Sequence, residues 1–197
     1  MTGPENIFWD SCVFIRYLTE EPSDYIDDIA RYITDARNGN RKIYFSTIAY
    51  VEIRQRFLKR SGYDSIRKFF FDFGRAFLPI EPSPNILISA GEIRDITPIN
   101  PSNATTDHSR VIGTPDAIHL MTCLHVRDVL GVSDVVFHTF DKGKGRNWEG
   151  KCVPLLEFER WYPTEMRSGH IDKVCNLTRT QPDYPEEDLL SGGNRNG

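Results

Sequence analysis

The chain has 197 residues, a hydrophobic fraction of 39%, an aromatic fraction of 12% and a formal net charge of -4. That is long enough for one domain with a proper core and too apolar for a disordered chain. The negative balance excludes a protein that coats nucleic acid by charge alone, but not an enzyme with a local, cation-neutralised site.

No apolar run is long enough to span a bilayer. The N-terminal residues from Met1 to Asn6 lack a basic stretch followed by an apolar run, so a cytoplasmic location with no membrane contact is expected. Cys12, Cys123, Cys152 and Cys175 are far apart. They lack the close pairs of a zinc site and the pattern of a disulfide framework, and read as buried free thiols.

In chain order, residues 6–9 read as a short buried strand and 12–18 as a short helix. Ser23 or Asp24 caps the next helix. It carries Tyr25, Ile29, Tyr32 and Ile33 at spacings of three and four and stops near Asn38-Gly39-Asn40. Residues 43–45 form a second strand. Ser46 or Thr47 caps a helix running to about Arg60, and 63–73 is a phenylalanine-rich helix. Residues 76–80 are a third strand. Ser83-Pro84 opens a helix to about Ile96, a cap followed by proline at the first helical position. Residues 97–113 are loop. Thr114-Pro115 opens another helix, to about Leu130. Residues 135–140 are a fourth strand and 152–156 a fifth. After Pro163 the chain turns polar, so 1–162 is expected to be the folded domain and 163–197 a poorly ordered tail. Strands alternating with helices in short apolar runs imply an α/β fold with a mostly parallel sheet flanked by helices.

Four acids interrupt this apolar pattern. Asp10 and Asp141 end strand runs, where open parallel sheets bind their ligands. Each also has a plain alternative, as a helix cap and a turn residue. Glu52 shares a helix face with Ile48 and Ala49, or else pairs with Arg56 four residues on. Asp116 falls in a first helical turn, where the macrodipole favours a carboxylate, yet it leads the apolar stripe Ala117, Leu120, Cys123 and Leu124. A buried carboxylate without a partner is costly. Gathered at one sheet edge, the four would suit a hard cation that prefers oxygen ligands.

Four stretches taken in order resemble a known family. They are Ile7-Phe8-Trp9-Asp10-Ser11-Cys12, Ser46-Thr47-Ile48-Ala49-Tyr50-Val51-Glu52-Ile53, Gly113-Thr114-Pro115-Asp116-Ala117-Ile118-His119-Leu120 and His138-Thr139-Phe140-Asp141-Lys142-Gly143. Together they span about 6–156 and are similar to the blocks of PIN-domain proteins, the fold of the VapC toxin ribonucleases. The resemblance implies a PIN-like three-layer α/β fold and metal-dependent hydrolysis of RNA. It implies that Asp10, Glu52, Asp116 and Asp141 hold Mg2+ or Mn2+, with Thr139 supporting the metal or orienting water. It also implies a toxin with a protein antitoxin, and self-association as a homodimer.

Ser11 matches a position lining such a site, and Arg54, Arg56, Lys142 and Lys144 are placed to hold flanking phosphates. His119 and His138 read as structural or surface residues. The loop at 97–113 and the polar tail depart from compact toxins. The alternative is a non-catalytic PIN-like module that binds RNA or protein. A haloacid-dehalogenase-type phosphatase wants an aspartate where Cys12 stands. A dinucleotide-binding fold wants a glycine-rich turn where Ser11-Cys12-Val13 stands.

Overall fold

The computed structural model describes residues 5–19, 25–99, 110–145, 150–167 and 169–185. The elements run β1 (Asn6–Trp9), α1 (Ser11–Thr19), α2 (Ile26–Arg37), β2 (Lys42–Ser46), α3 (Ala49–Glu52), α4 (Gln55–Arg60), α5 (Ile66–Asp72), β3 (Phe77–Ile80), α6 (Pro84–Arg94), β4 (Arg110–Val111), α7 (Thr114–Asp128), β5 (Val136–His138), β6 (Lys151–Cys152), α8 (Gly169–Cys175) and β7 (Arg179–Thr180). The central sheet has five strands in the order β3-β2-β1-β5-β7, all parallel. The strand order reverses between β1 and β5. In such sheets that crevice is where ligands bind.

The strand period of two divides the core between two faces. Ile7 and Trp9 of β1, with Ile43 and Phe45 of β2, point into one apolar cluster, while Phe8 and Tyr44 point into the other. An all-parallel sheet must be covered on both sides, and it is. Residues of α1, α2, α4 and α5 close the Ile7 face, where the Phe14 ring lies 5.1 Å from Phe77 and 5.3 Å from Phe45. Residues of α6, α7 and α8 close the Phe8 face. The result is a three-layer α/β fold. No helix among the described residues is long and apolar enough to cross a membrane.

Several expectations need correction. The helix expected from 47 to 60 is two helices, because Ile53 (ψ 98) and Arg54 (ψ 147) are extended. The break lets Ile53 and Leu58 enter the Ile7-face core, and it cancels the four-residue spacing between Glu52 and Arg56. Ser83 caps α6 as expected, accepting from the Ile86 N–H. Ser65 caps α5 in the same way and delays its start. The cap of α7 is Gly113 rather than Thr114. Ser23 and Asp24 lie outside the described residues.

The fifth strand expected at 152–156 is not part of the central sheet. Only Lys151–Cys152 is extended, paired with Arg110–Val111 in a separate parallel ladder, and Pro154 has no N–H to prolong it. The expected loop 97–113 therefore contains a short strand, while its residues 100–109 lie outside the described ones. The fifth central strand is β7, inside the expected tail. Ile171 and Val174 of α8 are fully buried, β7 pairs with β5, and Tyr184 Oη donates to Asp35 Oδ2 at 2.6 Å. The fold thus continues beyond 162, and of that tail residues 168 and 186–197 lie outside the described residues.

Candidate functional site

Asp10 follows β1 directly, and its backbone N–H donates to the His138 carbonyl of β5 at 3.1 Å. This bond sets the first carboxylate at the crevice. The side chain is 4% exposed. Its Oδ2 accepts from Thr139 Oγ1 at 2.7 Å and from the Cys12 thiol at 3.1 Å. Its Oδ1 accepts from Ser11 Oγ at 3.4 Å.

Thr139, just past β5 and fully buried, is a tie between acids. While donating to Asp10, its hydroxyl accepts from the Asp141 N–H at 3.0 Å. Asp141 Oδ1 in turn accepts from the Gly143 N–H at 2.7 Å. Gly143 has φ +68 and lies so close to Arg110 and Pro154 that a side chain would collide with both, which suits glycine alone. Burial pushes the Asp141 pKa up, with Asp10 adding to the rise, against the Gly143 hydrogen bond and the Arg110 charge.

Two more acids arrive on helices. Asp116 lies in the first turn of α7. A Cβ on Gly113 would come 2.6 Å from its Oδ2, so the cap glycine leaves room for the carboxylate. Burial raises the Asp116 pKa well above the ordinary carboxylate value, and the charges of Asp10, Asp141 and Glu52 raise it further. Glu52 ends the single turn of α3. Its Oε2 lies 2.6 Å from His119 Nε2, and the same nitrogen is 3.6 Å from Asp10 Oδ1. Burial alone would lower the His119 pKa. The hydrogen bond to Glu52 and the charges of Asp10, Glu52 and Asp116 outweigh it, and the pKa is raised.

All four acids and Thr139 therefore gather at the carboxyl ends of β1 and β5. Among the described residues, however, no three His, Cys, Asp or Glu side chains already form a group that could hold a metal ion. Hydrogen bonds engage both Asp10 oxygens, one oxygen of Glu52 and one of Asp141. The donor set still fits a hard cation, being oxygen-rich and mutually repelling.

The expected substrate residues divide. Lys142 and Lys144 line one pocket with Arg16, Phe140, Asp141 and Gln181. Ser11 is buried against Asp10, and its hydroxyl donates to that carboxylate. Arg54 and Arg56 are exposed, and Arg56 lies over the Phe57 ring at 4.8 Å. No described ion pair joins either arginine to Glu52.

Sequence reasoning missed two residues. Arg16, in the last turn of α1, stacks 4.8 Å over Phe140. His119, expected to be structural or on the surface, stands three residues after Asp116 on the same helix face. That spacing was the available signal. His138 is structural as expected. Burial, helped by Arg41, lowers its pKa to about 3, and its ring packs edge-on against Tyr32. All four cysteines are free, Cys123 buried and the others partly so. No protein-family model matches this chain, and no curated protein matches it significantly.

Proposed function

We propose that this protein is a Mg2+- or Mn2+-dependent endoribonuclease of the PIN-domain type, and the toxin of a toxin–antitoxin pair. The observation that carries this reading is the gathering of Asp10, Glu52, Asp116 and Asp141 at the strand-order reversal, close enough for three of them to raise the Asp116 pKa. A purely structural cluster would gain nothing from such repulsion, whereas a bound cation removes it.

Asp10, Glu52, Asp116 and Asp141 would hold the ion. A bound divalent cation supplies Lewis-acid chemistry for phosphodiester hydrolysis. The chain's own part is positioning. Thr139 locks Asp10 to the Asp141 backbone, so these two acids keep a fixed separation. The pocket of Arg16, Lys142 and Lys144, which Asp141 also lines, is suited to an RNA phosphate next to the scissile one. None of the ion pairs among the described residues engages these three cations. They form a local positive field on an acidic protein.

The toxin role calls for a partner. Val51 and Phe71 are 79% and 81% exposed, apolar surface that an antitoxin or a second copy would cover. Sedimentation showing only monomer at working concentration would count against the homodimer.

The enzymatic reading is tested by incubating RNA with the full chain and Mg2+ or Mn2+. Cleavage is expected, with loss of cleavage but retained folding in Asp10→Asn and Asp116→Asn. Full activity in either variant would sink the proposal. RNA binding with neither cleavage nor heat of Mn2+ binding would instead favour a non-catalytic module.

A further inference from the structure

His119 reaches into the acid cluster from α7, with Nε2 2.6 Å from Glu52 Oε2 and 3.6 Å from Asp10 Oδ1. It is completely buried, rides on the fifteen-residue helix α7, and packs edge-on against Phe8 of β1, ring centroids 6.4 Å apart. Its backbone anchor is therefore rigid. Glu52 has the opposite setting. It ends a four-residue helix and is followed by the extended Ile53 and Arg54, so no next turn supplies a neighbour to hold its side chain.

We infer that His119 is a positioning residue that fixes Glu52 for cation binding through the Nε2–H bond to Oε2. The inference rests on the cation-dependent reading above. An ionised carboxylate only accepts, so the imidazole nitrogen facing it carries the proton. The other ring nitrogen, Nδ1, is buried without a partner among the described residues. Nδ1 of the structural His138 is buried without a partner as well, so the orphaned nitrogen does not separate a core role from a positioning one; the partner of Nε2 does. Among the described residues the one hydrogen bond of the ring goes to a candidate ligand. Outer residues that orient metal-binding carboxylates change affinity when removed. A plain core histidine would change only stability.

The test is Mn2+ calorimetry on the full chain, with melting temperatures recorded alongside. Glu52→Gln and His119→Asn should each weaken Mn2+ binding by about 10–100-fold. The asparagine stays polar but is too short to reach Glu52. The double variant should be no weaker than Glu52→Gln alone, since both changes break one linkage. His119→Gln, whose amide nitrogen can replace Nε2, should stay within about threefold of wild type.

Wild-type affinity in His119→Asn, with affinity lost in Glu52→Gln, overturns the positioning role and leaves the metal reading standing. Equal losses in His119→Gln and His119→Asn, or a double variant much weaker than either single, overturn it as well. Wild-type affinity in Glu52→Gln removes Glu52 from the metal site, and with it the basis of the inference.

Discussion

Gly113→Ala should separate catalysis from folding. Gly113 caps α7 with φ -61 and ψ 143, a conformation open to any residue. Alanine is a poorer cap than glycine, at a cost of up to about 1 kcal/mol. Lower entropy of the unfolded chain returns about 0.4–1 kcal/mol, so the melting temperature should barely move. The carboxylate of Asp116 feels the change directly. The new Cβ would lie 2.6 Å from Oδ2, and a comfortable contact is about 3.5 Å. The obstacle is the free end of a side chain, so Asp116 rotates away by close to 1 Å rather than straining the fold. A catalytic group misplaced by about 1 Å can cost about 10²-fold in rate. RNA cleavage under single-turnover conditions, paired with calorimetric melting, measures both quantities. Gly91→Ala in α6, where an added Cβ meets nothing within 4 Å, is the control and should keep full activity. Cleavage by Gly113→Ala within about threefold of wild type, or a rate loss matched by a fall in melting temperature, would refute the reasoning.

Thr139→Val removes a donor from Asp10 and an acceptor from the Asp141 N–H. It should cost about 1–3 kcal/mol in urea unfolding, while Thr139→Ser keeps most of the stability; equal stability in the two variants would contradict the tie. Arg16→Gln should weaken RNA binding evenly across sequences and reduce the salt slope of binding by about 1, read by anisotropy titrations at several salt concentrations. An unchanged slope removes Arg16 from the phosphate pocket. His138, with its folded pKa lowered to about 3, is neutral in the fold but takes up a proton near pH 6.5 when unfolded. Its contribution is therefore full above that pH and is lost as pH falls toward 3, at up to about 1.4 kcal/mol per pH unit. His138→Phe should flatten that limb of the stability curve, and an unaltered slope between pH 6 and 4 would show that other groups dominate it.

The strands of the central sheet were legible where apolar runs were continuous. Ile7-Phe8-Trp9 and Ile43-Tyr44-Phe45 are buried on both faces, so nothing polar interrupts their signal. β7 was not legible. It is two residues long and pairs by backbone alone with Phe137 and His138. Its Arg179 is held by the carbonyls of Leu155, Val174 and Leu177 and by Glu159. Composition reads such an arginine as solvent-facing, and only the fold supplies the carbonyls that bury it. The same limit applies to the break at Ile53. Residues 47–60 carry nothing that forbids a helix, and the interruption comes from the pull of the core on Ile53. The acids were readable because each stood where an apolar residue belonged. His119 stood in an equally apolar helix, but histidine is common enough in cores that its position alone did not mark it.

The candidate site has two halves of different stiffness. Asp10, Thr139 and Asp141 come from adjacent parallel strand ends and are tied by backbone and hydroxyl hydrogen bonds. Glu52 and Asp116 come from helices on separate chain segments. Among the described residues they meet the first half through His119 and through mutual repulsion. The strand half sets where a cation would sit, because its geometry follows from the sheet register. The helix half determines how tightly it would be held, because its carboxylates repel one another until positive charge lies between them. Substitutions in the strand half should therefore register in both stability and activity. Substitutions in the helix half should register mainly in cation affinity and rate.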